Sequence, residues 1–408
     1  MLLPIGDEPN PHGVPWVNYA LLTINIGVFV VVTLPLMLRP ADPSDPLTQA
    51  YLRALIDANP QGDPREIAYH FLRGRTAYDM LLLQWGYRPG APSVLTLLTS
   101  MFLHGGWAHL LGNMLFLWIY GDNVEHALGR PGYLTAYLLT GAIAALSYGV
   151  LVPAADGQIP MVGASGAISG VLGFYFIWFP RNRVRLVLFP LLFLVWKVQA
   201  RLVLGFFVIV DNLLPFLLRG QGGSGVAHGA HIGGFVAGVT GALVLNRWHR
   251  HRCRQSALAC GDEETGESLP RPVPGAGAEE VIRQIDAARP ARAIRAYLAL
   301  STLDRQRVPV EVVAQLADWL ASSGQPDAAL ALYRQAQDDH PRGPGLDRLF
   351  LGIGLVLLHG KGRPTAAYQY LLDALDASPS TQVAAAAREA LASIDRMQKL
   401  RMEPRDHK

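Results

Sequence analysis

A chain of 408 residues that is 50% hydrophobic and only 16% charged, with a mean hydropathy of +0.22, is too apolar for an ordinary soluble protein, where charged residues make up roughly 25%. The net charge of +3 is too small to point to nucleic acid, and none is expected as a partner. The apolar residues crowd into the first 250 positions, so a membrane part followed by a soluble tail is the organisation to look for.

Six stretches are long and apolar enough to cross a bilayer as helices of about 20 residues: 17–37, 95–120, 133–152, 161–179, 200–218 and 226–245. Residues 1–16 precede them without a basic segment or cleavage site, so the first helix is retained. Residues 39–94 form a long first loop, rich in proline and in charge of both signs, with one or two short helices expected outside the membrane. The apolar run 185–198 is broken by Pro190 and Lys197 and reads as a membrane-surface loop. Arg130, the "PRNRVR" stretch and the basic cluster at 247–254 follow the second, fourth and sixth segments. Basic residues favour the cytoplasmic side, so both termini are expected there, in a bacterial inner membrane. Residues 248–278 read as that basic cluster followed by a flexible linker. Cys253 and Cys260 fall within it at a spacing unusual for metal, and nothing demands a disulfide.

Beyond the linker, residues 279–400 carry a repeat. Gly324, Pro326, Ala328, Ala329, Ala336 and Pro341 recur as Gly362, Pro364, Ala366, Ala367, Ala374 and Pro379, each 38 residues on. A weaker earlier copy has Pro290, Ala293 and Tyr297. The pattern resembles tetratricopeptide repeats, whose period is about 34 residues; an irregular bundle of helical hairpins is the alternative. The fold class expected is therefore all-α: a six-helix membrane bundle, then a soluble helical repeat region that binds a cytoplasmic protein.

Polar side chains inside membrane helices are costly and mark function by default. The second segment carries "HGGWAHLLGN" with His104, His109 and Asn113; the fourth carries Ser165 and Ser169; the sixth opens "AHGAHIGGFVAG" with His228 and His231. With the orientation above, all three sets lie at one depth near the outer face. His109 and Asn113 are four apart and share a helix face. Glycines at 163, 166, 170 and 173 and at 229, 233, 234, 238 and 241 let two helix backbones approach closely. Such packing would bring the Ser165 hydroxyl within reach of His231. A serine, a histidine and two side-chain donors are the parts of a nucleophilic hydrolase. A purely structural Ser165 would be a small packing residue. Glu125 reads as a structural hydrogen-bond or ion-pair partner, and His104 as a structural tie between the first loop and the second helix.

These motifs, with "GDNVEHALG" after the second segment, resemble the rhomboid family of intramembrane serine proteases over roughly residues 16–247. The resemblance implies a Ser–His dyad, with Ser165 as nucleophile, His231 as general base and no acidic residue placed to orient it; "AHIGGF" favours His231 over His228. It assigns His109, Asn113 and the Ser165 backbone N–H to the oxyanion hole; the spacing of the small residues, not the resemblance, gives Gly163, Gly166, Gly233 and Gly234 a packing role near the site. The substrates implied are single-span membrane proteins cut within the lipid bilayer near its outer face, with no metal or organic cofactor. Some members place an aromatic four residues after the serine, against the histidine; here that residue is Ser169, so the His231 ring must be oriented otherwise. The rival function is a non-catalytic relative that binds membrane helices for quality control.

Overall fold

A computed structural model describes residues 2–11, 13–57, 59–153, 157–188, 194–219, 227–263, 277–377 and 379–402. The chain divides into two compact units. The first holds Met1–Asp7, Val14–Ile177 and Val184–Ala242; the second holds Glu8–Gly13, Trp178–Arg183 and Leu243–Lys408.

In the first unit, strand β1 (Leu2–Glu8) precedes helix α1 (Trp16–Met37). Pro15 offers α1 no side-chain cap. The Glu125 carboxylate supplies one instead, accepting from the N–H groups of Val17 (3.2 Å) and Asn18 (2.7 Å). The first loop forms α2 (Pro46–Asp57), α3 (Pro64–Leu72) and α4 (Ala77–Trp85), one more helix than the sequence suggested. Thr76 and Asp79 cap α4 reciprocally.

The second apolar segment is not one helix. A short α5 (Val94–Thr99) with a 3₁₀ turn at Ser100–Phe102 meets α6 (Trp107–Leu128) at a bend of 92°. The glycine pair in "HGG" interrupts the pattern, and α6 then runs through "GDNVEHAL" to Leu128. Helix α7 (Arg130–Leu151) follows after Gly129, whose φ of 74° suits glycine.

Helix α8 (Ser165–Trp178) begins four residues later than its hydropathy predicts. Met161 pairs with Tyr87 as an isolated bridge and Gly163 sits at φ 123°, so the chain is not helical before Ser165. Fourteen residues are fewer than a bilayer needs, but every residue from Gly166 to Tyr175 is buried in protein. A helix enclosed in this way is not matched to lipid, and small side chains let its neighbours close around it.

The run 185–198, expected as a surface loop, is strand at 185–188 and 195–198, and residues 189–193 lie outside the described part. Strands β2 (Arg183–Leu188) and β3 (Val195–Gln199) form a three-stranded sheet in the order β1-β2-β3, so the all-α expectation is corrected; Pro190 lies outside the described residues. Helix α9 (Ala200–Leu218) contains a π turn at Ile209–Leu213. Helix α10 (His228–Glu263) continues well past Leu245, where apolarity ends. The side chains of 249–263, including both cysteines, and the linker residues 264–276 lie outside the described part. Among the described residues four helices are long and apolar enough to cross a membrane, and the bent α5–α6 pair makes a fifth.

The second unit contains α11 (Ala278–Asp286), α12 (Pro290–Ala299), α13 (Thr302–Arg305), α14 (Val310–Ser322), α15 (Pro326–Asp339), α16 (Leu346–Leu355), α17 (Pro364–Asp376) and α18 (Thr381–Met402). Pro290, Pro326 and Pro364 each open a helix, where a missing N–H costs nothing. Three residues on, Ala293, Ala329 and Ala367 are fully buried, and seven on, so are Tyr297, Tyr333 and Leu371. Gly324 (φ 79°) and Gly362 (φ 59°) turn the chain before two of these helices; Ala288 (φ 54°) does so before the first. Arg305 and Asp339, both buried, pair at 2.7 Å, and the Tyr297 hydroxyl donates to Asp339 at 3.1 Å. Burial raises the Tyr297 phenol far above its ordinary range, keeping that donor protonated. Within the same unit Arg181 pairs with Asp373 and Asp376, each at 2.9 Å.

Candidate active site

The site begins where α8 begins. The Gly163 N–H donates to the Ser100 carbonyl at 2.8 Å. A Cβ at Gly163 would lie 2.7 Å from the His109 ring, at a φ that disfavours side chains anyway. Glycine there lets the chain pass close to His109 and turn into the helix with Ser165 as its first residue. The first four N–H groups of a helix have no intrahelical acceptor, so Ser165 sits among free donors.

Close packing of α8 against α10 sets the next contact. A Cβ at Gly234 would stand 2.1 Å from the Gly166 carbonyl oxygen, and one at Gly238 would stand 2.0 Å from that of Gly170. From the other side, a Cβ at Gly173 would be 2.3 Å from the Phe235 carbonyl oxygen. Nothing larger than hydrogen fits between the backbones. Gly166 and Gly233 face α7 instead, toward Ala144 and Ser147. At the approach of α8 and α10 the Ser165 Oγ and His231 Nε2 lie 2.7 Å apart, with both residues half-buried. The His228 ring centroid is 6.5 Å from that of His231.

Behind the imidazole is a residue the sequence reading passed over. Asn212, 2% exposed, lies in the π turn of α9, and its Oδ1 is 2.6 Å from His231 Nδ1. The Asn212 Nδ2 donates to the Phe207 carbonyl at 2.9 Å, and the Phe207 ring lies tilted 6.5 Å from His231. A buried polar side chain in the middle of an apolar membrane segment is itself a signal. Ser169 is buried, with no partner for its hydroxyl among the described residues.

On α6, His109 Nδ1 accepts from the Gly105 N–H at 3.4 Å, which leaves Nε2 to carry the proton. That Nε2 and the Asn113 Nδ2 both face Gly163, at 2.7 and 3.7 Å from the position a Cβ would take. Asn113 Nδ2 is buried and, among the described residues, has no hydrogen-bond partner. It is a donor facing the start of the serine helix. His104 is in the bend before α6, not on that helix, and is fully buried. Its N–H donates to the Tyr78 hydroxyl at 3.1 Å, which in turn donates to the His104 carbonyl at 2.9 Å. It therefore ties α4 of the first loop to the site through its backbone. Among the described residues no three His, Cys, Asp or Glu are grouped to hold a metal ion.

A serine hydrogen-bonded to an imidazole, among helices long and apolar enough to cross a membrane, defines a polytopic membrane protein with a polar centre. Residues 91–248 match the Rhomboid domain, and with the chain's apolar helices this indicates an integral membrane protein. It is 28% identical to Rhomboid-like protein 11, chloroplastic, of Arabidopsis thaliana, over 45% of this chain and 61% of that protein. It is 34% identical to Rhomboid protein 1, mitochondrial, of Saccharomyces cerevisiae, over 27% of this chain and 32% of that one. It is 33% identical to the Rhomboid protease GluP of Bacillus subtilis, over 36% of this chain and 25% of GluP. The matched stretches span less than two thirds of each of these relatives. They come from a chloroplast, a mitochondrion and a bacterium, and do not single out a bacterial inner membrane.

Proposed function

We propose that the chain is an intramembrane serine endopeptidase acting on single-span membrane proteins. The observation that carries this reading is the 2.7 Å contact between Ser165 Oγ and His231 Nε2. As Ser165 Oγ bonds to the scissile carbonyl carbon, its proton passes to His231 Nε2. The negative charge that develops on the carbonyl oxygen meets the Ser165 N–H, His109 Nε2–H and Asn113 Nδ2–H. Collapse of the intermediate breaks the C–N bond, and His231 returns the proton to the departing amine. Water then repeats the sequence on the acyl ester, with His231 again as base, and frees Ser165.

In this reading residues 17–247 form a six-helix bundle, α8 being the enclosed central helix. The loops rich in Lys and Arg lie on the cytoplasmic side with both termini, and substrates are cut near the opposite face. The helices from α11 onward are tetratricopeptide-like and bind a cytoplasmic protein. Labelling of the detergent-solubilised chain by a fluorophosphonate tests the reading. Ser165→Ala abolishes labelling and cleavage of a single-span reporter, and His231→Ala reduces both to background. Full activity in Ser165→Ala would end the proposal.

A further inference from the structure

We propose that Asn212 is a positioning residue that makes the Ser165–His231 pair a triad; the inference rests on the peptidase reading above. Asn212 presents an amide, with one donor end and one acceptor end. The donor end is committed: Nδ2 bonds the Phe207 carbonyl. The acceptor end, Oδ1, therefore faces His231 Nδ1 at 2.6 Å, so Nδ1 carries a hydrogen. An imidazole protonated at Nδ1 is left with its lone pair at Nε2, the nitrogen 2.7 Å from Ser165 Oγ. Asn212 thus selects the one neutral tautomer that can accept the serine proton. No bond at Asn212 forms or breaks. It holds Nδ1–H while His231 becomes imidazolium and while it returns the proton.

Helix α9 is shaped for this contact. The π turn at Ile209–Leu213 holds one residue more than an α turn, which re-aims the side chains around it. The Leu214 N–H bonds back to Ile209, five residues earlier, and the Asn212 side chain spans the same interval to Phe207. Ser169, four residues after Ser165, has no ring that could stack on the imidazole. The amide, with the Phe207 ring beside it, supplies the support. Because Asn212 is neutral, it orients without adding charge. The titratable groups nearest His231 are His228 on its own helix and His109 on α6, while Asp211 beside Asn212 is exposed.

The test uses the full chain in detergent with a single-span reporter, comparing Asn212→Ala, Asn212→Leu, Asn212→Asp and Ser165→Ala. Asn212→Ala and Asn212→Leu lower kcat between about tenfold and a hundredfold with KM little changed, because the base is misoriented while the binding surface is intact. Asn212→Asp keeps the acceptor and recovers most of kcat. Its carboxylate favours the imidazolium, so the acid limb of the kcat/KM profile moves up by about one pH unit. Melting curves of all four variants separate lost geometry from lost fold. Wild-type kcat in Asn212→Ala, or a fully folded Asn212→Asp that neither recovers kcat nor shifts the profile, overturns the triad. If Ser165→Ala itself cleaves the reporter, the peptidase reading fails instead.

Discussion

Replacing Gly234 with alanine puts a methyl carbon 2.1 Å from the Gly166 carbonyl oxygen. Carbon and carbonyl oxygen tolerate about 3.3 Å at closest, so α8 and α10 must separate locally by about 1.2 Å. The obstacle is backbone, and no rotamer change relieves it. Gly166 adjoins Ser165, and Gly234 lies one helical turn beyond His231, so the strain falls on the 2.7 Å Ser165–His231 contact. Opened by that amount it would stand near ~3.9 Å, beyond hydrogen-bond range. A misplacement of about 1 Å in a reacting pair costs about a hundredfold in rate, equivalent to ~2.7 kcal/mol. Overpacking should also cost about 1–3 kcal/mol of stability. The assay is the rate of fluorophosphonate labelling and of reporter cleavage, with a thermal melt alongside. Gly205→Ala is the control, since a Cβ there meets nothing within 4 Å, and it should behave as wild type. A folded Gly234→Ala protein with the wild-type labelling rate would refute the claim that this close approach sets the geometry of the pair.

His109→Ala and Asn113→Ala each remove one donor facing Gly163 and should lower kcat by about a hundredfold, within the ~2.7–4 kcal/mol of an oxyanion donor, with KM steady; a raised KM at constant kcat would reassign that residue to binding. In the second unit, Gly324→Ala forces a side chain to φ 79° in open space, at a cost of about 1–2 kcal/mol, and should speed hydrogen exchange across α14 and α15. Ala288→Gly relieves the same strain at φ 54° and should slow exchange across α11 and α12 by a few-fold; equal exchange in both variants would mean these turns carry no strain.

Four apolar spans were legible because 20-residue apolar runs have few alternatives, and the serine and histidine motifs stood out in the sequence because polar groups there are rare. What escaped was backbone detail. The run 183–199 is apolar enough for strand or membrane surface, and hydropathy alone does not separate these for short runs. The start of α8 is set by Gly163 at a φ of 123° and by its neighbour His109, which a hydropathy window cannot see. The bend before α6 moved His104 off the helix on which its spacing seemed to place it. Asn212 was overlooked because its partner His231 comes from another helix and its own helix departs from α geometry there. In the tail the sequence offered only a spacing of small residues; Ala293, Ala329 and Ala367, which carry it, are all buried.

The carboxylate over the start of α1 bears on how the protein is made. Helix α1 leaves the ribosome before α6, yet two of its first free N–H groups are satisfied by Glu125, whose sequence separation from them is 108 and 107 residues. Asn18 in the same turn bonds the Leu117 carbonyl at 3.0 Å and accepts from the Tyr133 hydroxyl at 2.8 Å. None of these partners exists when α1 enters the bilayer. The first span therefore inserts with an unfinished end, which must remain within reach of water or headgroups until α6 and the start of α7 are synthesised. Only then is the first turn of α1 sealed, so this span is completed after spans that are synthesised later.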